Sequence, residues 1–317
     1  MAPVTPPGTA LSWTEIDAAR SLRRTLGQFR TGFGDPTTRL SDGVFLRATY
    51  TPDGPGTLQL TWDIDPSPVE ECEVGAEAWG PGAAWLLERV DSMTGRTDRP
   101  VAFTGAHPAV ERALRFARLA RIGASGGAYH QLLPTIIAQR ITAGEAVRQW
   151  ARLCRELGKS APGPERVTAG LLLPPSPASL DRRPAWWFHP LGIETKRARP
   201  LVEVARHADK MWSWTEAGPQ VLADKLRLIP GIGPWTIGSI LGPVCGDPDA
   251  VPIGDFHFAN TVAWAVAGEP RADDDRMLEL LEPYRGQRGR VLWAINTTAG
   301  KAPAFGPRKR ILPMAKW

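Results

Sequence analysis

The chain has 317 residues, 43% of them hydrophobic, enough for a sizeable core in two or three domains. Lysine and arginine number 38 against 33 aspartates and glutamates, a formal +5 that fits a polyanionic partner without singling one out. Three scattered cysteines (Cys72, Cys154, Cys245) exclude a paired disulfide framework, a four-cysteine zinc site and a four-cysteine iron–sulfur cluster, and no apolar run is long enough to span a membrane. A reducing cytoplasm is the expected compartment.

Residues 1–12, rich in Pro, Thr and Gly, read as a loose lead-in. Trp13 to Arg30 has helical spacing, with Ile16, Leu22, Leu26 and Phe29 on one side. Strand signals follow at Gly43–Tyr50, at Thr57–Trp62 after the turn-forming Pro52-Asp53-Gly54, and at Glu70–Ala78. Residues 1 to about 80 therefore read as a small α+β unit with an antiparallel sheet. From Gly80 onward the pattern is helical. Helices are expected over Pro108–Arg121, His130–Leu157, Leu191–Ala208, Gln220–Leu228, Thr236–Pro243, Phe256–Ala267, Asp274–Pro283 and Arg288–Thr297. Pro/Gly-rich breaks separate them, and 174–184 reads as a surface loop leading to Trp186-Trp187-Phe188. The tail Phe305–Arg310 is basic and could add a phosphate contact.

Ile229-Pro230-Gly231-Ile232-Gly233-Pro234-Trp235-Thr236 carries the first chemical signal. Pro230 ends one helix, Gly231 and Gly233 permit a tight turn, and Pro234 suits the first turn of the next helix. Backbone N–H groups of the turn and of that helix start then point outward together, which suits an anion such as a DNA phosphate. Carbonyls turned the other way could hold a monovalent cation. The second signal is Asp255, which follows Pro252-Ile253-Gly254 at the mouth of a helix. It is a good helix cap, and Asp247 and Asp249 in the same loop compete with it for any further role. The five histidines (107, 130, 189, 207 and 257) show no metal-ligand spacing.

Hairpin, second helix, glycine-bearing loop and aspartate, in that order, resemble the helix-hairpin-helix–GPD superfamily of DNA glycosylases. Within it the sequence is most similar to the alkyl-base branch of the 3-methyladenine DNA glycosylase II type. Leu228–Thr236 resembles that branch's hairpin, and Pro252–Phe256 its aspartate segment. Ile136–Thr142 resembles the segment that carries the DNA-inserting wedge, and Leu191–Arg199 the start of the helix preceding the hairpin helix. Pro283–Gly286 with Leu292-Trp293 resembles the closing helix.

The resemblance implies an α+β fold. A small N-terminal antiparallel-sheet domain would cover 1–105, with about 81–105 as a connector. A two-lobed all-α core would cover 106–317, with the hairpin at 229–236 and a DNA cleft between the lobes. It implies Asp255 as the catalytic carboxylate, and Trp235, Phe256 and Trp293 as the base pocket. Gly231, Ile232, Gly233 and Thr236 would grip the DNA backbone, and Gln139 or Arg140 would be the wedge. The carbonyls of Arg227, Ile229 and Gly231 could hold a structural Na or K ion; no cofactor is required and no iron–sulfur cluster is expected. Strand-cutting members carry a lysine where this chain has Trp235, so a monofunctional enzyme leaving an intact abasic site is implied. The expected partner is double-stranded DNA containing damaged bases, acted on by a monomer. Ser239, where the branch can carry tyrosine, and the unassigned His257 bear on the lesion. A same-fold glycosylase for oxidised or deaminated bases, and a non-catalytic DNA binder, are the alternatives.

Overall fold

A computed structural model describes residues 9–12, 18–63, 71–103, 106–117, 121–298 and 302–303. The start of the first expected helix at Trp13 and the basic tail at 305–310 lie outside the described residues.

The N-terminal unit contains β1 (Thr9–Ser12), α1 (Ala18–Gly27), β2 (Thr38–Ser41), β3 (Val44–Thr51), β4 (Gly54–Trp62), β5 (Glu71–Trp79), α2 (Ala83–Glu88) and α3 (Val90–Met93). Among the described residues the strands form one five-stranded antiparallel sheet, ordered β1-β5-β4-β3-β2. The expected three strands are thus joined by two four-residue edge strands. Both fall where the sequence has no apolar alternation, because an edge strand of that length is specified by its neighbour's free backbone groups. β1 also corrects the reading of 1–12 as wholly loose.

Both faces of the sheet are covered. Phe45, Leu58, Leu60, Val74 and Ala78 pack with Leu22, Leu26 and Phe29 of α1 and with Trp85, Leu86, Val90 and Met93. Leu46 and Ala48 on the other face meet Ala161, Leu171 and Leu173 from the helical part. α2 and α3 therefore belong to the sheet's own core.

The helical part comprises α4 (Pro108–Ala117), α5 (Ala128–Ala138), α6 (Ala143–Leu157), α7 (Glu165–Thr168), α8 (Pro177–Asp181) and a 3-10 turn over Ala185–Leu191. It continues with α9 (Thr195–Arg206), α10 (Ala208–Glu216), α11 (Pro219–Arg227), α12 (Pro234–Cys245), α13 (Phe258–Ala267), α14 (Asp274–Leu281) and α15 (Arg288–Thr298). The expected single helix over 130–157 is two. Arg140 adopts a left-handed backbone (φ 60°), and the Thr142 hydroxyl caps the second helix by accepting from the Glu145 N–H. The apolar periodicity runs through both helices and hides the break. The 174–184 loop holds α8, pinned by fully buried Leu180.

The helices form two lobes with separate cores. One packs α5, α6 and α9 to α12 around Leu132, Leu133, Trp150, Leu201, Leu226 and Ile240. The other packs α4 and α13 to α15 around Val110, Val262, Met277, Leu281, Val291 and Ile295. The chain enters the second lobe with α4, leaves for the first, and returns through the segment after α12. That return segment carries Asp255.

A buried polar cluster ties the sheet to the first lobe. His130 of α5 bridges two sheet-side hydroxyls, with Nδ1 3.0 Å from Thr49 Oγ1 and Nε2 3.1 Å from Thr37 Oγ1. Asp35 accepts from the Thr37 N–H (2.9 Å) and hydroxyl (2.8 Å) and from Trp150 Nε1 of α6 (3.0 Å). Burial, and secondarily the charge of Arg47, hold the His130 imidazole well below its usual range. The folded protein therefore resists a proton that the unfolded chain accepts below about pH 6.5, so stability falls as pH drops through that value. Between about pH 6.5 and 5 this residue is expected to remove up to ~2 kcal/mol, seen as a falling urea midpoint that flattens in His130→Gln.

Candidate active site

The hairpin has the expected form. α11 stops at Arg227, the turn buries Ile229 and Ile232 beneath it, and Pro234 opens α12. Gly231 is required twice over: its φ is 88°, and a Cβ there would run into the Pro200 ring of α9. Gly233 differs from expectation. Its backbone is extended (φ −105°), and an added Cβ would meet nothing within 4 Å. It marks the open side of the turn rather than a steric need.

Gln139 and Arg140, equal candidates for the wedge in the sequence, differ in their surroundings. The Gln139 amide donates to the Gly231 carbonyl (3.0 Å) and to the hydroxyl of buried Thr236 (2.9 Å). It stitches the α5–α6 turn to the hairpin. Arg140 beside it is exposed and, among the described residues, is the one non-glycine with positive φ. Backbone strain of this kind, of order 1–3 kcal/mol, concentrates at functional positions.

Asp255 lies between the lobes, and hydrogen bonds hold both of its oxygens. Oδ1 accepts the backbone N–H groups of His257 (2.9 Å) and Phe258 (3.2 Å), capping α13. Oδ2 accepts the indole N–H of Trp235 (2.9 Å), from the first turn of α12. Hydrogen bonds to a charged group are worth about 1.5–3 kcal/mol, so this one fixes the carboxylate against the hairpin helix. Gly254, with φ 88°, is anchored by Asp274 Oδ2 (2.9 Å) at the start of α14.

The competing aspartates are spoken for. Asp249 accepts the backbone N–H groups of Gly286 (2.8 Å) and Arg288 (2.9 Å) and forms a two-point pair with the Arg288 guanidinium. Burial alone would raise its pKa, but these contacts outweigh it and lower the group below its ordinary value. Asp247 accepts the Asp249 N–H at 2.9 Å and is raised, chiefly by burial.

Two glycines that sequence reasoning missed hold this loop. A Cβ on Gly238 of α12 would clash with the Val251 carbonyl, standing 2.6 Å from its carbon and 2.8 Å from Pro252 Cα. A Cβ on Gly289 of α15 would clash with the Ala250 carbonyl. The backbone leading to Asp255 is thus clamped between two helices at glycine contacts. Their one trace in the sequence is a glycine inside each helical pattern.

The other two expected pocket residues are exposed. Phe256 is 85% exposed, its ring set edge-on to His257 at 4.9 Å. Trp293 of α15 is 40% exposed, with no ring contact to Trp235 among the described residues. The Ser239 hydroxyl is turned back to the Trp235 carbonyl (2.7 Å). Lys210 and Lys225 are exposed on α10 and α11. Of the three carbonyls expected to hold a cation, those of Ile229 and Gly231 already accept a protein donor. The Gly231 oxygen faces an amide N–H of Gln139, whose partial positive charge would oppose the ion, and the Ile229 oxygen accepts the Ile232 N–H (3.1 Å). Among the described residues no group of three His, Cys, Asp or Glu side chains could hold a metal ion, and no helix is long and apolar enough to cross a membrane.

No protein-family model matches the chain, and no curated protein matches it in sequence. Its backbone is nonetheless similar to solved structures over nearly its full length. A 3-methyladenine DNA glycosylase from Archaeoglobus fulgidus gives a TM-score of 0.68 at 16% identity, over 90% of this chain and 96% of the other. An 8-oxoguanine glycosylase/lyase from Clostridium acetobutylicum, in complex with double-stranded DNA containing cytosine opposite 8-oxoguanine, gives 0.63 at 13% identity, over 93% and 96%. Its apo form gives 0.62 at 13% identity, over 94% and 98%. The fold, a small antiparallel sheet domain with a two-lobed helical core, is the one these glycosylases share.

Proposed function

On the fold shared with these solved glycosylases, we propose that the chain is a base-excision DNA glycosylase. It flips a damaged base from duplex DNA and hydrolyses its N-glycosidic bond, with Asp255 as the catalytic carboxylate. The hydrogen bond from Trp235 to Asp255 carries this reading. It ties an oriented carboxylate to the N-terminal turn of α12, whose cap residue Gly233 carries no side-chain hydrogen bond and whose first N–H groups are the proposed phosphate site. Phosphate binding at those groups would bring the neighbouring sugar toward the aspartate. Breaking the bond to a base that leaves readily builds positive charge on the sugar. A fixed carboxylate stabilises that charge and can orient or deprotonate the attacking water.

In this reading Arg140 fills the space left by the flipped base, and Gln139 braces the turn that presents it. No amine stands at the Trp235 position, so the sugar is not attacked covalently and the product is an intact abasic site. An alkylated, cationic base is the proposed substrate. The Trp235 ring sits beside the aspartate, and a cation over an indole face gains about 0.5–2 kcal/mol. Exposed Trp293 and Phe256 would close on the base once DNA is bound.

A panel of duplexes carrying methylated, deaminated or oxidised bases, assayed for free base, tests the proposal. Release of methylated bases is expected to be fastest. Fastest release of an oxidised base would replace the substrate assignment, and no release from any lesion would overturn the function.

A further inference from the structure

We infer that the outer face of α6 is a second DNA-backbone track, running on from the Arg140 turn and formed by Arg148, Arg152 and Arg155. The inference rests on the reading of the chain as an enzyme that acts on duplex DNA. The three arginines are exposed and stand at i, i+4 and i+7, so they share one face of the helix. Other helices in the molecule neutralise such side chains one turn away, as in Glu203–Arg206, Asp224–Arg227 and Arg276–Glu279. On α6 this does not happen. Among the described residues no hydrogen bond or ion pair engages Arg148, Arg152 or Arg155. Glu145, one turn before Arg148, instead accepts from Gln149 at 3.0 Å, and Glu156, one turn beyond Arg152, leaves it unpaired. Like charges at this spacing repel along the helix, so the stripe is a cost in the free protein.

The position of the stripe suits DNA. α6 begins three residues after the exposed, strained Arg140, so the arginines lead away from the point proposed to enter the duplex. From Arg148 to Arg155 the helix rises roughly 10 Å, about three base-pair steps of one strand. Beside the stripe a loop of the N-terminal domain presents Phe33, 91% exposed, with the Arg30 guanidinium 5.4 Å from its ring centre. The loop is held in place. Gly32, with φ 71°, sits tight against Val147 of α6, the Thr31 N–H donates to Asp35 (2.8 Å), and Asp35 accepts from Trp150. A fixed, exposed aromatic next to unpaired arginines is a composition that serves stacking and phosphate contact on nucleic acid.

The test is the salt dependence of binding to a duplex with a central abasic site, for the wild type and for Arg148→Gln/Arg152→Gln/Arg155→Gln. Each phosphate contact contributes about 0.9 to the slope of log K against log salt, so the triple variant is expected to be shallower by roughly 2.7. A charge-matched control, Arg166→Gln/Arg182→Gln/Lys210→Gln, is expected to stay close to the wild-type slope. Equal slopes for the two triple variants would overturn the inference, as would wild-type binding that does not respond to salt. Wild-type base release, measured separately, reports on the glycosylase reading: salt-dependent binding without base release would retain the track and reject the enzyme.

Discussion

Asp255→Asn is expected to slow single-turnover base release from methylated duplex by on the order of 10²–10⁴-fold, while leaving affinity for abasic duplex intact or tighter. The substitution keeps the shape of the side chain and removes the charge that meets the developing cation. Removing a negative group that faces phosphates does not weaken the grip on the backbone. The hydrogen bonds sharpen the expectation. Oδ1 and Oδ2 both act as acceptors, toward the α13 backbone and toward Trp235. An asparagine can satisfy only one side. If it keeps the helix cap, its NH₂ faces the indole N–H, leaving a donor unsatisfied at a cost of about 1–3 kcal/mol. A modest loss of thermal stability should therefore accompany the kinetic loss, and binding to abasic DNA separates the two. Unchanged base release would remove Asp255 from the mechanism.

Gly238→Ala is the second large effect. Alanine is the better helix former by about 1 kcal/mol, so helix propensity alone predicts stabilisation. The contact predicts the reverse, because the added Cβ meets the backbone of Val251 and Pro252, which cannot rotate away. Overpacking of this kind costs about 1–3 kcal/mol, and the relief available is a shift of the loop that ends in Asp255. A displacement near 1 Å at a reacting group costs about 10²-fold in rate. Gly238→Ala is thus expected to lower both the melting temperature and base release, although Gly238 need touch neither DNA nor water. Gly144→Ala in α6, where a Cβ finds only the flexible end of Arg148 at 3.6 Å, is the matched comparison and should be neutral or stabilising. Full activity in Gly238→Ala would show that the clamp does not position the aspartate.

Local rules made the hairpin and the aspartate legible in the sequence. Pro230, Gly231 and Pro234 each impose a backbone restriction on their immediate neighbours, so the order helix, turn, helix follows from the eight residues Ile229 to Thr236. Most of the helices follow from apolar spacing in the same way, whereas the division into two lobes was implied by the resemblance to the glycosylase superfamily. What remained hidden depends on contacts between distant segments. The break at Arg140 lies within one continuous apolar pattern, and only the Thr142–Glu145 cap marks it. Gln139 and Arg140 are adjacent polar residues with equal claims until Gly231 and Thr236, some ninety positions on, claim the first. Asp247, Asp249 and Asp255 look alike in sequence; Arg288 distinguishes the second, and Trp235 the third. Gly238 and Gly289 read as minor helix defects because a close approach has no local signature. Trp235 was legible as a missing lysine and as a pocket wall, but its role as the donor that holds the aspartate needed the fold.

The most direct test of the account is the product formed by the wild-type protein on methylated duplex, with parallel samples quenched in neutral buffer, in alkali and with borohydride. Release of free methylated base with an unbroken strand in neutral buffer, cleavage only after alkali, and no trapped adduct is the predicted result. Strand cleavage in neutral buffer together with a borohydride-trapped protein–DNA adduct, or no released base at all, would contradict it.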